Sequence, residues 1–160
     1  MSSQVLSTQE VPAIPDGAWI RFLRAHAALT RELSARLEAL HELTLSDFDV
    51  LVQLYYAEGQ RMRRIDLARS VLLTASGITR LLDGLESCGL VAKERCDSDA
   101  RVTYAVLTKA GVQKIEEARD SHLADIEELF GSKFSPEERE QLAEFLGRLP
   151  LAHTAEQCSE

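Results

Sequence analysis

The segment Thr74 to Val91, TASGITRLLDGLESCGLV, decides the fold of this chain. Its apolar residues recur at the i, i+3, i+4, i+7 spacing that predicts one buried face of an α-helix: Ile78, Leu81, Leu82 and Leu85. Its opposite face is polar and carries Ser76, Thr79, Arg80 and Asp83. Thr74 is placed to cap the start, and Gly89 is placed to end the helix in the left-handed conformation. Such a helix buries one side and presents the other to a polar partner.

The residues before this segment complete a helix-turn-helix. A helix is predicted from Leu45 to Tyr56, with Ser46 as its cap, and a short third helix from Arg63 to Val71. Leu72-Leu73 then form the turn that leads into the segment. A short helix, a tight turn and a helix of about four turns is the order found in helix-turn-helix proteins.

The residues after Gly89 change from a helical period to a period of 2. Val91 to Arg95 is predicted as a short strand, residues 96–100 as a polar turn, and Arg101 to Thr108 as the returning strand, rich in β-branched and aromatic residues. A β-hairpin that directly follows a helix-turn-helix is a wing. The predicted fold class is therefore mainly α with a small β-hairpin wing.

Long amphipathic helices flank this winged unit. They are predicted from Trp19 to Leu40, from Lys109 (capped by Thr108) to about Phe130, and from a capping box at Ser135 to a stop at Pro150. Their apolar stripes exceed what one small winged domain can cover, so we expect a helical layer that forms a homodimer. The alternative is that these helices pack only within one chain.

The predicted organisation has five parts. Residues 1–15 form a flexible N-terminal arm, and residues 151–160 form a frayed C-terminal tail. Residues 16–44 and 109–150 form the helical dimerisation region, which encloses the winged helix-turn-helix domain of residues 45–108.

Charge is distributed unevenly along the chain. The net charge is −8, but the segment from Arg61 to Lys109 holds nine Lys/Arg against six Asp/Glu, a net +3, whereas the remainder carries −11. Phosphate attraction is therefore confined to the winged domain.

A secretory signal and an apolar run of roughly 20 residues are both missing from the sequence, and the three cysteines lack metal-ligand spacing. We expect a cytoplasmic protein without membrane contact, bound metal or cofactor.

These motifs together resemble the MarR family of winged helix-turn-helix transcription regulators. The resemblance rests on the sequences DLA at 66–68, SGITRLLDGLE at 76–86 and GLV at 89–91, and on the spaced pattern Asp99, Arg101, Leu107, Thr108 and Gly111. It implies a homodimer that binds pseudo-palindromic DNA, often as a repressor released by a small ligand or by oxidation. Arg63 and Gly84 depart from the family pattern, which usually has a short capping residue and a basic residue there.

The candidate DNA contacts lie on the polar helix face, at the start of the third helix and on the wing. Helix residues of this kind enter the major groove, and in the resembling family the wing arginine, here Arg101, enters the minor groove. Asp99 is expected to orient Arg101 or to fix the turn through an Asx motif. The full set is Arg63, Arg64, Thr74, Ser76, Gly77, Thr79, Arg80, Lys93, Arg95, Asp99 and Arg101.

An effector pocket between the helical layer and the winged domain is implied by the same resemblance, for a phenolic or other aromatic molecule. Its candidate lining is Trp19, Phe22, His26, Tyr55 and Tyr56. Aromatic residues at helical spacing also fit a role in the core alone.

Two other functions stay open at this point. The acidic frame and Gly84 allow a protein–protein interaction module that has kept the winged fold and lost DNA binding. Cys88 and Cys96 flank the junction of helix and wing, which allows a redox-sensing regulator. Catalytic patterns such as a phosphate-binding glycine loop or a nucleophile elbow are not found, so an enzyme is not expected.

Overall fold

The computed structural model describes residues 17–71, 75–96, 99 and 101–149. Six helices and three strands occur in this part of the chain. In order they are α1 (Gly17–His41), α2 (Leu45–Tyr56), β1 (Arg61–Arg63), α3 (Arg64–Ser70), α4 (Ala75–Ser87), β2 (Val91–Arg95), β3 (Thr103–Leu107), α5 (Lys109–Leu129) and α6 (Pro136–Leu146). The predicted fold class is confirmed. The division into a dimerisation region and a winged domain stays a prediction.

The start of α2 differs from the prediction. Thr44, not Ser46, caps the helix: its hydroxyl accepts a hydrogen bond from the backbone N–H of Asp47, and the Asp47 carboxylate accepts one from the backbone N–H of Thr44. This capping box satisfies two backbone donors at once, which a cap at Ser46 would not do. The caps predicted at Thr108 for α5 and at Ser135 for α6 are confirmed.

The sheet has one strand more than the predicted hairpin. Residues 61–63 form β1, which pairs with β3 in the order β1-β3-β2, so that Arg61 lies opposite Val106 and Arg63 opposite Tyr104. The prediction that the third helix begins at Arg63 is wrong, because α3 begins at Arg64 and Arg63 belongs to the strand. Three residues carry too little periodicity to indicate a strand, and β1 exists because β3 offers it a free edge.

The core lies between α2, α4, the sheet and α5. Ile78, Leu82 and Leu85 are buried on the inner face of α4, as the spacing predicts. They join Leu51 and Leu54 of α2 in one cluster. Further buried members of the cluster are Leu37, Leu67, Val91, Ala105, Leu107, Ile115 and Ala118. This burial of apolar area holds α4 against the rest of the domain and leaves its other face in solvent.

The end of α4, the end of the wing and the start of α5 meet at one junction. Gly89 adopts the predicted left-handed conformation with φ of 73°. The Thr108 backbone N–H donates to the Leu90 carbonyl at 3.1 Å, and its hydroxyl lies 2.7 Å from the Gly89 carbonyl. The same hydroxyl accepts the backbone N–H of Gly111 at 3.0 Å. A Cβ at Gly111 would collide with the Leu90 carbonyl and approach Leu107 Cδ1 to 2.7 Å. The spacing of Leu107, Thr108 and Gly111 is therefore explained by the close packing at this junction.

An arginine on α1 joins the first helix to α5. Arg36 Nη1 lies 2.7 Å from Asp125 and 3.0 Å from Glu128, and its Nε lies 3.1 Å from Glu32 on its own helix. Hydrogen bonds donated by Arg36 lower the pKa of Glu128 below its usual value.

None of the helices in the described part of the chain combines the length and apolar character that a membrane crossing requires.

We predict that replacing glycine by alanine has opposite effects on the free energy of unfolding at two positions. Gly84 lies inside α4 with open space around its Cβ position, so Gly84→Ala should raise the free energy of unfolding by about 1 kcal/mol. Gly111→Ala should lower it by about 1–3 kcal/mol, because the added methyl group has no room. Urea unfolding at one protein concentration measures the free energy of unfolding of both variants. Equal effects would contradict the packing described at the junction.

We predict that the protein loses stability in mild acid because His122 is buried. The side chain is buried against Phe48, with ring centroids 4.5 Å apart, and burial lowers the pKa of His122 from 6.5. The unfolded chain therefore binds this proton more readily, so the free energy of unfolding falls as pH drops below about 6.5, by at most about 1.4 kcal/mol per pH unit for one proton. His122→Leu should flatten this dependence in urea unfolding between pH 7.5 and 5.5. An unchanged slope would rule out His122 as its source.

Candidate nucleic-acid interface

The outward face of α4 is polar and solvent-exposed where the structure describes it. Thr79 and Arg80 are exposed, on the side opposite the buried Ile78 and Leu82. Gly77 is half-buried in the first part of the helix. Thr74 and the side chain of Ser76 lie outside the described part of the structure. The described face therefore combines a hydroxyl and a cation, side-chain types that hydrogen-bond base edges and phosphates.

The wing presents Arg101 beside a turn that Asp99 stabilises. The Asp99 carboxylate accepts a hydrogen bond from the backbone N–H of Arg101 at 2.9 Å, and the Asp99 carbonyl accepts one from Val102. Of the two roles considered for Asp99, this geometry corresponds to the Asx turn. Arg101 is exposed, and no described carboxylate forms an ion pair with it. Its guanidinium is therefore available to an anionic partner.

Lys93 on β2 is held by two carboxylates of α4. Its Nζ lies 3.0 Å from Asp83 and 2.9 Å from Glu86, and hydrogen bonds to Glu86 and Asp83 raise the pKa of Lys93. These ion pairs link the first wing strand to the helix. Their charge compensation weakens the attraction of Lys93 to phosphate. Arg95, at the end of β2, is exposed.

Arg63 and Arg64 lie side by side at the start of α3 but differ in their surroundings. Arg63 cannot cap α3 by accepting a hydrogen bond; instead its Nε donates to the Asp66 carboxylate at 2.5 Å. Nη2 of Arg64 is buried without a hydrogen-bond partner among the described residues. Arg64 is therefore the cation that lacks compensation at this end of α3.

The start of α3 and the wing enclose a cleft of about 310 Å³. It is lined by Arg63, Arg64, Ile65, Arg101, Val102 and Thr103. The cleft brings together three of the arginines predicted from sequence, which come from two separate stretches of the chain. Ile65, Val102 and Thr103 were not predicted as site residues, because only the pairing of β1 with β3 brings the two stretches of chain together into one cleft.

The residues proposed for an effector pocket fall into two sets of ring contacts. On α1, Trp19 stacks on Phe22 and Phe22 on His26, with centroids 6.3 and 6.4 Å apart. On α2, Tyr55 and Tyr56 meet edge to face at 5.2 Å. Trp19 is 49% exposed and Tyr56 is 70% exposed. A pocket shared by the two sets stays a prediction.

Two cysteines and three histidines lie in the described part of the chain. Cys88 is exposed at the end of α4 and Cys96 is half-buried after β2. His41 Nε2 lies 2.7 Å from the Ser121 hydroxyl, and His122 packs on Phe48. Within the described ranges, no three His, Cys, Asp or Glu side chains are grouped as metal ligands would be.

Comparison with known proteins places this geometry in a family. The model of the MarR family matches residues 43–103. The HTH-type transcriptional regulator MhqR of Bacillus subtilis is 30% identical over 128 residues, which cover 80% of this chain and 86% of that protein. AbsC, a MarR family transcriptional regulator from Streptomyces coelicolor, superposes with a TM-score of 0.80 at 30% identity, covering 88% of this chain and 95% of AbsC.

A structure with DNA shares the same fold. Sco3205, a MarR family transcriptional regulator from Streptomyces coelicolor solved in complex with DNA, superposes with a TM-score of 0.78 at 24% identity. The match covers 88% of this chain and 92% of Sco3205. At this identity the likeness shows the fold alone. The family model, MhqR and AbsC carry the assignment further: this chain belongs to the MarR family of winged helix-turn-helix transcription regulators and is not an enzyme.

Proposed function

We propose that this regulator acts in the cytoplasm as a homodimeric repressor of its target promoters. The observation that carries the proposal is a pair of exposed arginines, Arg80 on α4 and Arg101 on the wing. Neither forms an ion pair with a described residue, and their elements are joined at the Thr108 junction. Arg80 would contact base edges or phosphate in the major groove, and Arg101 would enter the adjacent minor groove. A dimer seated in this way on promoter DNA blocks its use by polymerase.

The remaining candidate contacts would position the dimer on the DNA. We expect Gly77 and Thr79, in the N-terminal half of α4, to face the groove if α4 acts as the recognition helix. Thr74 and Ser76 stay candidates from the sequence for the same contacts. Arg63, Arg64 and Arg95 would bind phosphates, with Arg63 weakened by its pair with Asp66. Lys93 would act mainly by joining the wing to α4.

Exposed apolar side chains on the flanking helices support the dimer. No residue of α6, all of which the structure describes, is buried, although the helix carries an apolar stripe. Large apolar side chains exposed on α1, α5, α6 and just after α6 are Trp19, Phe22, Leu23, Leu40, Leu123, Phe145 and Leu149. A second copy of the chain would cover this surface and place two recognition helices about one DNA turn apart.

A small aromatic or phenolic effector would release the repressor. The stacked Trp19, Phe22 and His26 of α1 and the Tyr55–Tyr56 pair of α2 provide aromatic surfaces on the two helices that frame the predicted pocket. An effector bound there would favour dimers whose recognition helices no longer match the spacing of the half-sites.

Arg101 predicts the character of DNA binding. On promoter-length DNA from its own upstream region, log K should fall steeply with log salt, because binding releases counterions. Arg101→Ala should weaken binding by about 1–3 kcal/mol and make the salt slope shallower. Lys133→Ala, which removes one positive charge from the exposed turn after α5, should change neither. Absence of binding to any such fragment would favour the protein–protein module instead.

A substitution at Phe145 tests where the chain dimerises. The side chain is 53% exposed on α6, so Phe145→Asp should shift the protein towards monomer by placing a charge in the apolar interface. Sedimentation velocity across a dilution series measures the shift. The control is Ile65→Asp, which changes an equally exposed apolar residue on α3 and should leave the dimer intact. Equal behaviour of the two variants would contradict the proposed interface.

A further inference from the structure

The cleft between the start of α3 and the wing, here called the α3–wing cleft, is lined by two chemically different kinds of side chain. Arg63, Arg64 and Arg101 supply cations, whereas Ile65 and Val102 supply apolar surface. Its volume of about 310 Å³ is at the lower end of the range for small-molecule sites. The lining therefore suits a ligand that has both an anionic group and an apolar body.

The cations of the cleft are unequally compensated. Asp66 forms an ion pair with Arg63, and the Asp99 carboxylate accepts the backbone N–H of Arg101. The Arg101 guanidinium has no ion pair with any described carboxylate, and Nη2 of Arg64 is buried with no described partner. A buried guanidinium donor without an acceptor is destabilising. An oxyanion in the cleft would supply that acceptor and form short, charge-assisted hydrogen bonds.

Part of the apolar lining is exposed to solvent. Ile65 is 59% exposed although it is a large aliphatic residue at the second position of α3. Val102 and Thr103 continue the lining from the wing side. An inorganic anion would leave this apolar lining in water, whereas a ring or short alkyl chain would cover it and gain from its burial.

We propose that the α3–wing cleft binds a small organic anion. Its phosphate or carboxylate group accepts hydrogen bonds from Arg64 and Arg101, and its apolar body packs on Ile65 and Val102. Because Arg64 and Arg101 are also proposed DNA contacts, the bound anion competes with DNA. This competition rests on the proposed function, whereas the site itself does not. It is separate from the aromatic pocket proposed between α1 and α2.

The site is tested without DNA, on the full chain labelled at isoleucine methyl groups. Phenyl phosphate should shift the NMR signal of Ile65 saturably and leave that of Ile115, which is 2% exposed in the core, unchanged. Inorganic phosphate should bind at least several-fold more weakly. Arg64→Gln and Arg101→Gln should each weaken phenyl phosphate binding by about tenfold, with the Ile115 signal reporting that each variant is folded.

Three results would overturn the site. They are an Ile65 signal that does not respond, a response that survives both arginine substitutions, and equal affinities for phenyl phosphate and inorganic phosphate. The last result would reduce the cleft to a simple oxyanion site that a DNA phosphate can fill.

Competition is tested separately by DNA binding at constant ionic strength. Phenyl phosphate should weaken DNA binding several-fold more than sodium sulfate does at the same ionic strength. Simultaneous binding of DNA and phenyl phosphate would refute the competition. A protein that binds phenyl phosphate at Ile65 but binds no DNA would overturn the proposed function and leave the site in place.

Discussion

The proposed DNA-binding surface depends on the hydrogen bonds that Thr108 makes to Gly89 and Leu90, just after the proposed recognition helix α4. The backbone N–H of Thr108 reaches the Leu90 carbonyl, and its hydroxyl reaches the Gly89 carbonyl while also capping α5. Three elements therefore meet at one side chain: α4 ends there, the wing returns there, and α5 begins there. Gly111 lets α5 approach closely enough for this contact. A shift of α5 within the proposed dimer would consequently move α4 and the wing together.

Charge pairing within the winged domain concentrates the attraction for DNA at a few positions. Lys93 is compensated by Asp83 and Glu86, and Arg63 is compensated by Asp66, so these cations mainly hold the elements in place. Within residues 45–108, the described arginines without such ion pairs are Arg64, Arg80, Arg95 and Arg101. In a chain of net charge −8, these positions are the ones in the winged domain at which we expect phosphate attraction to be strongest. Arg64 and Arg101 lie in one cleft with the exposed Ile65.

Most features set by neighbours in sequence were predicted correctly, whereas a strand set by tertiary pairing was missed. The buried face of α4, the left-handed Gly89 and the caps at Thr108 and Ser135 follow from local spacing and residue type. The cap of α2 is the local exception, because Thr44 forms a reciprocal capping box with Asp47 and Ser46 does not. Strand β1 exists only because β3 pairs with it. For the candidate site, sequence identified the cationic residue types. It could not show which cations are already paired, or that the stretch with Ile65 and the stretch with Val102 meet in one cleft.

The junction is tested most directly by comparing DNA affinity in Thr108→Ser and Thr108→Val. Serine keeps the hydroxyl that contacts the Gly89 carbonyl and the Gly111 backbone N–H, whereas valine keeps the shape and removes it. At a temperature where circular dichroism shows both variants fully folded, Thr108→Ser should bind promoter DNA within about twofold of the unmodified protein. Thr108→Val should bind about tenfold more weakly, because the loss of these partly buried hydrogen bonds loosens the position of α4 and the wing relative to α5. A folded Thr108→Val protein with unchanged DNA affinity would contradict the account.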